Sequence, residues 1–161
     1  MKKDKGSTLV EALVALVILS LGLIPTLSTV LVANSLSSSI RNNLIAANLA
    51  QEGIEVARAM RDHNWFSGLP FDFGFVDGAY RVEWNSMSLT PESGDSLLKI
   101  DSQGLYNYSS GVDTTFSRRL LITKVDPDGC SCELKIVSEV RWMEKNRTRT
   151  ISVESHLFNW Q

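Results

Sequence analysis

The feature that most constrains this chain is an apolar run near its start. Residues Thr8 to Ala33 read TLVEALVALVILSLGLIPTLSTVLVA and include one charged side chain, Glu11. A helix crosses the ~30 Å hydrocarbon core of a bilayer with about 20 mostly apolar residues, so this run is long enough to span it. The segment before it, Met1–Gly6, holds three lysines and one aspartate. Because basic residues favour the cytoplasmic side, we predict a single-pass protein of the inner (cytoplasmic) membrane with its C-terminal part outside.

Two simpler interpretations of this run are a secretory signal peptide and a plain signal anchor. A secretory signal has a shorter apolar core, about 7–15 residues, followed by a small-residue cleavage site. Neither interpretation explains Glu11. A carboxylate inside a membrane segment costs free energy, so its presence there indicates a functional role. A cut between Gly6 and Ser7 would place the new α-amino group of Ser7 one helical turn from Glu11. Between staggered neighbouring chains these charges would neutralise each other, so we interpret Glu11 as setting the assembly register.

These residues carry a family resemblance. Gly6-Ser7-Thr8-Leu9-Val10-Glu11, followed by the apolar residues 12–19, resembles the class III signal and N-terminal helix of type IV pilins and type II secretion pseudopilins. The resemblance implies cleavage after Gly6 by the prepilin peptidase, N-methylation of Ser7, and Glu11 as the assembly carboxylate. The first mature residue of such proteins is usually phenylalanine or methionine, whereas this chain has Ser7. The motif-level similarity extends from about Lys5 to Leu31.

Gly22 and Pro25 interrupt the apolar helix pattern. Proline removes one intrahelical hydrogen bond and crowds the preceding turn, although membrane helices tolerate such positions. We predict a helix kink at Gly22 and Pro25. The kink is either harmless or marks a segment that loosens when subunits leave the bilayer and pack into a filament.

Beyond the membrane the pattern becomes amphipathic. Apolar and small side chains recur at three- and four-residue steps from Ile40 to Ala57, which predicts a continuing helix with one buried face. Asn64, Gly68 and Pro70 predict its end. The stretch Ala46–Glu55, AANLAQEGIE, resembles minor pilins and pseudopilins of the filament-initiating type.

The remainder of the chain predicts a small β domain. An aromatic and glycine-rich segment, Trp65–Gly78, reads as a loop that plugs the end of a sheet or binds a partner. Turns are predicted at Asp126–Gly129 and Glu144–Arg147, and polar loops at residues 86–94 and 103–111. The predicted strands are Ala79–Asn85, Ser96–Asp101, Phe116–Val125, Cys132–Glu144 and Arg147–Asn159. The expected fold is α+β: a long N-terminal helix, transmembrane then amphipathic, packed on a small antiparallel β-sheet, as in pilins.

The candidate chemical sites are sparse. The only two cysteines, Cys130 and Cys132, lie one residue apart, and we favour a strained disulfide between them over free thiols or half of a metal site. Asp113, Asp126 and Asp128 suggest calcium only weakly, so we predict no metal and no cofactor. Glycosylation sequons at Asn107 and at Asn146 are short enough to arise by chance.

Nothing in the sequence predicts an enzyme. His63 and His156 are the only histidines, and we find no phosphate loop, nucleophile elbow or metalloprotease helix. The chain has 16 basic and 18 acidic residues and a formal net charge of −2, so no nucleic-acid partner is expected. A DNA-binding competence pilin would require Arg118, Arg119, Arg147 and Arg149 to be exposed together.

We therefore predict a minor pilin or pseudopilin divided into four parts. These are a cleaved leader at 1–6, a transmembrane and assembly helix at 7–33, its amphipathic continuation at 34–64 and an extracytoplasmic β domain at 65–161. The expected partners are other pilin or pseudopilin subunits, the prepilin peptidase, an inner-membrane assembly platform and membrane lipid. After assembly, the subunit would lie in an extracytoplasmic filament at the cell surface. The alternatives are a membrane-tethered adhesin or receptor that does not polymerise, and a DNA-uptake competence pilin.

Overall fold

The structure, a computed structural model, describes residues 5–94, 96–125 and 132–160, and of residues 5–8 only the backbone. The chain forms two compact units: the first ends at Arg41 and the second begins at Asn42. The elements in chain order are one helix and seven strands: α1 Lys5–Phe66, β1 Gly78–Arg81, β2 Thr90–Pro91, β3 Leu97–Ile100, β4 Tyr106–Asn107, β5 Val112–Val125, β6 Glu133–Glu144 and β7 Arg147–Phe158. The expected α+β class, one long N-terminal helix followed by a small antiparallel sheet, is confirmed.

Helix α1 ends through backbone hydrogen bonds that fold the chain back on its last turn. The N–H of Leu69 donates to the carbonyl of Asn64 at 2.9 Å, and Gly68 has a φ of +70°, which glycine adopts without steric cost. The side-chain amide of Asn64 donates to the carbonyls of Phe71 and Phe73. The amide therefore fixes the following loop against the helix end.

The three long strands form a regular antiparallel meander. Strand β5 pairs with β6 from Phe116↔Trp142 to Val125↔Glu133, and β6 pairs with β7 from Glu133↔Phe158 to Glu144↔Arg147. The predicted turn between β6 and β7 is confirmed. Its two central residues, Lys145 and Asn146, both have positive φ, which matches the right-handed twist of the flanking strands. The turn predicted at Asp126–Gly129 lies outside the described residues.

The first half of the sheet differs from the predicted meander. Strands β1 and β3 both pair with the same edge of β5, β1 at Leu120–Ile122 and β3 at Val112–Ser117. Strand β1 ends at Arg81 rather than Asn85, and β5 begins four residues before the predicted start. Two short strands, β2 and β4, lie in segments that we predicted to be loops. Short edge strands depend on neighbours distant in sequence, which local alternation does not reveal.

Within the second unit, the C-terminal part of α1 packs on the inner face of the sheet. Alternate side chains of β5 and β6 point toward the helix and are buried. Gly53 permits the close approach, because a Cβ there would lie 2.4 Å from the Ser138 hydroxyl. Phe71 and Phe75 are part of this core, so aromatic side chains of the loop cover the end of the sheet, which was one of the two predictions for this segment. Phe66, in contrast, is 97% exposed.

Candidate functional site

The N-terminal segment is helical from Lys5 onward, so Gly6 and Ser7 lie in the first turn of α1. The next charged residue, Glu11, is exposed and flanked by exposed apolar side chains, with Leu9 at 65% and Val14 at 52% exposure. No described residue forms an ion pair or a hydrogen bond with the Glu11 side chain. A carboxylate in such an apolar surface needs a partner of opposite charge when the surface is removed from water.

The apolar surface around Glu11 continues along the helix on all sides. The large apolar side chains from Leu9 to Val32 are each 52–71% exposed. The helix is long and apolar enough to cross a membrane, with a mean hydropathy of 2.3 in its most apolar window. Exposed apolar area of this extent is unfavourable in water, so the segment requires a cover of lipid or protein.

Gly22 and Pro25 lie within this segment, and the helix continues through both. Several hydroxyl groups near Pro25 donate to helix carbonyls: Thr26 to Leu23 at 2.8 Å, Ser28 to Ile24 at 3.1 Å and Thr29 to Pro25 at 2.9 Å. Such bonds give these carbonyls a second donor, but none of the three reaches the carbonyl of Leu21, which is the one that loses its helix donor at Pro25. The kink itself remains a prediction.

Residues 1–27 match the family model described as the prokaryotic N-terminal methylation motif. The chain carries a prepilin-type signal. This is the signal of type IV pilins and pseudopilins, so the resemblance predicted from the sequence is confirmed. It implies processing by prepilin peptidase and assembly with other pilins. No curated protein and no solved structure matches the chain.

The second compact unit, from Asn42 onward, is the globular unit of the chain, and it contains a buried ionic clamp between helix α1 and the sheet. Arg118 on β5 is 2% exposed, and its Nη1 donates to Glu52 Oε1 at 2.8 Å and to the Leu49 carbonyl at 3.0 Å. Its Nη2 donates to the Val82 carbonyl at 2.6 Å. One guanidinium group thus ties α1, β5 and the segment after β1 together.

The sequence did not reveal this clamp. A DNA-binding competence pilin would require Arg118 to be exposed with Arg119, Arg147 and Arg149, and this requirement is not met because the Arg118 side chain is buried and bound to Glu52. Arg119 and Arg141 instead share Glu139 on the outer face of the sheet. Burial opposes the ionised form of Glu139, but the hydrogen bonds from both arginines outweigh it and lower its pKa. The available signal was Arg118 at an inward-facing strand position together with the acidic Glu52 on the helix.

The structure describes only some of the residues in the remaining predicted sites. Cys132 is in a disulfide, and the only other cysteine in the sequence, Cys130, lies outside the described residues, so their pairing remains a prediction. Asp126 and Asp128 lie there too, and Asp113 is 3.9 Å from Lys99 Nζ. Among the described residues no group of three or more His, Cys, Asp or Glu could hold a metal ion. His63 lies in the last turn of α1.

Proposed function

We propose that this chain is a minor pilin or pseudopilin, a structural subunit rather than an enzyme, which polymerises through its N-terminal helix. The observation that carries the proposal is the prepilin-type signal at residues 1–27, followed directly by an exposed apolar helix. Prepilin peptidase removes residues 1–6, and Ser7 becomes the N-methylated first residue. Before assembly, the subunit is anchored in the inner membrane with residues 65–161 on the extracytoplasmic side.

Assembly follows from the energetics of the exposed apolar helix. Transfer from lipid to a filament core replaces lipid contacts with helix–helix contacts, while the α-amino group of Ser7 on one subunit neutralises Glu11 on another. Only the correct stagger leaves no unpaired charge, so Glu11 sets the register. Gly22 and Pro25 allow the helix to loosen during this transfer. The inner-membrane assembly platform and neighbouring pilin subunits are the partners in this step.

The deciding experiment measures the N-terminal sequence and mass of the protein from membranes of cells with and without prepilin peptidase. The proposal expects a start at Ser7, with one added methyl group, only when the peptidase is present. A start at Met1 in both strains would contradict it. Recovery of the processed subunit in sheared filaments then separates polymerisation from simple processing.

A second candidate function is a membrane-tethered adhesin or receptor that does not polymerise. It is favoured by the exposure of Phe66 and Phe73 in and beside the loop after α1, at 97% and 58%. Exposed aromatic side chains are common anchors in binding surfaces. This function predicts membrane-bound protein with no filament fraction, and loss of ligand binding in Phe66→Ser and Phe73→Ser variants.

A further inference from the structure

The structure separates the two N-glycosylation sequons of the chain, Asn107–Ser109 and Asn146–Thr148. In such a sequon the acceptor is the side-chain amide nitrogen of the asparagine. The modification adds a bulky, soluble group, which only a surface position can carry. The burial and the hydrogen bonds of each asparagine side chain therefore decide which of the two sequons a transferase can modify in the folded chain.

Asn107 lies in β4 and is 5% exposed, so its amide is not accessible. Its Oδ1 accepts from the backbone N–H of Ser109 at 3.0 Å and of Ser110 at 2.8 Å, and its Nδ2 donates to the Leu105 carbonyl at 3.5 Å. This side chain builds the turn that follows β4. A sugar on its Nδ2 would require the turn to open, so the folded chain excludes this acceptor.

Asn146 lies at the tip of the β6–β7 hairpin, where each of residues 145–150 is exposed. Its φ of +60° places it in the turn itself, outside the strand ladder. No described residue forms a hydrogen bond with the Asn146 side chain. The hydroxyl of Thr148, the third sequon residue, has only a weak contact with Met143 Sδ at 4.0 Å. The two side chains that define the sequon are therefore open to an enzyme.

A carboxylate also distinguishes the two sequons. Glu144 stands two residues before Asn146, whereas Leu105 holds that position before Asn107. Bacterial oligosaccharyltransferases favour acceptors with an acidic residue at this position. Glu144 Oε2 lies 3.4 Å from Arg149 Nε, longer than a strong hydrogen bond, and the Arg149 side chain is more than half exposed. An exposed arginine is held weakly, so Glu144 can exchange it for a cationic group of the enzyme.

We propose that Asn146 is an N-glycosylation site of this protein, recognised through the segment Glu144–Thr148. The donor is an oligosaccharide carried on a polyprenyl pyrophosphate. A bond forms between Asn146 Nδ2 and the first sugar carbon, the bond from that carbon to the pyrophosphate oxygen breaks, and the lipid pyrophosphate leaves. One amide proton passes to a base of the transferase, and nothing is oxidised or reduced. The transfer takes place outside the cytoplasm, so this inference rests on the orientation given under the proposed function.

The test expresses the full chain in a bacterial host that carries an oligosaccharyltransferase and its polyprenyl-linked oligosaccharide. Peptide mass analysis of the membrane fraction is expected to find the oligosaccharide on Asn146 and none on Asn107. A host without the transferase should give neither mass. Thr148→Val removes one exposed hydroxyl and is expected to reduce the modification of Asn146 to below detection, whereas Thr148→Ser retains it. Equal Tm values of the two unmodified variants would show that the fold is unchanged.

Two further variants test the carboxylate. Glu144→Gln is expected to lower the modified fraction of Asn146, because the enzyme loses its charged contact. Arg149→Gln releases Glu144 from its ion pair and is expected to keep that fraction equal or raise it. A modified fraction that Glu144→Gln leaves unchanged would overturn the recognition of the longer segment.

A C-terminal Asp-Gln-Asn-Ala-Thr extension, itself an acceptor, reports whether the globular unit reaches the transferase. Modification of the extension without modification of Asn146 would overturn the inference and leave the proposed orientation standing. Modification of neither would contradict the orientation, and the inference would fall with it. Modification of Asn107, or of Asn146 in the Thr148→Val variant, would also overturn the inference, because accessibility and the sequon would then not select the site.

Discussion

Two segments of helix α1 have similar secondary structure and opposite surroundings. In residues 9–32 the large apolar side chains are 52–71% exposed, whereas the buried apolar side chains of residues 46–60 are at most 7% exposed. What separates the two segments is burial, because the sheet covers the apolar face of the second one. The second segment is stabilised by packing within the chain, and the first depends on lipid or other subunits.

The largest expected effect separates assembly from folding. Glu11→Ala is expected to remove the subunit from sheared filaments to below detection, because the assembling helix loses its charge partner. The unfolding free energy of the globular unit, measured by tryptophan fluorescence in denaturant, should not change. Glu55→Ala, which removes an exposed carboxylate elsewhere on α1, is the matched control and should assemble normally. Normal incorporation of Glu11→Ala would remove the register argument.

The next largest expected effect is a loss of stability in the globular unit, which contains the second segment. Arg118→Met is expected to lower the unfolding free energy by ~2–4 kcal/mol, because Glu52 and two backbone carbonyls lose a buried partner. Partial exposure of Glu52 keeps the loss below that of a fully buried pair. Denaturant unfolding measures it, with the exposed Arg147→Met as control. A loss no larger than that of the control would show that the clamp contributes little.

Two glycines of the same helix give a direct contrast. Gly53→Ala is expected to cost ~1–3 kcal/mol, because the new Cβ overlaps Ser138 and the helix must move away from β6. At Gly22 nothing lies within 4 Å of the added Cβ, so Gly22→Ala should leave the unfolding of the globular unit unchanged. Ser138→Gly should restore part of the loss in the Gly53→Ala background. Equal unfolding free energies for the two alanine variants would contradict the close approach.

The smallest effect lies on the outer face of the sheet and depends on pH. Hydrogen bonds with Glu133 and then Glu154 raise the pKa of His156, and His156 and Lys135 lower the pKa of Glu154. Because the pKa of His156 is higher in the folded state, its protonation stabilises the fold fully below about pH 6.5, the unfolded-state pKa. This contribution is lost as the pH rises through the folded-state pKa of His156. The lowered Glu154 pKa contributes above the usual carboxyl range and is lost in acid. His156→Gln should therefore reduce stability at pH 6 and leave it nearly unchanged at pH 9, as measured by urea unfolding; a loss independent of pH would contradict this.

The sequence predicted the parts of the fold that are encoded locally. Alternation in β5, β6 and β7 is carried by many residues, and the Glu144–Arg147 turn has a short-range signal, so these elements were predicted within a few residues. Strands β2 and β4 have two residues each and no such signal. The Arg118 clamp was missed because strand alternation places an arginine on a face but does not reveal which helix residue meets it.

The sequence by itself determined the prepilin-type signal, the apolar helix with its single carboxylate and the long antiparallel strands, because each is written in consecutive residues or in a regular period. Only the tertiary structure decided that Arg118 is buried against Glu52, that Gly53 meets Ser138, and that β1 and β3 share one edge of β5 with a gap between them. These features join residues far apart in the chain. Their energies depend on burial and distance, which no local pattern specifies.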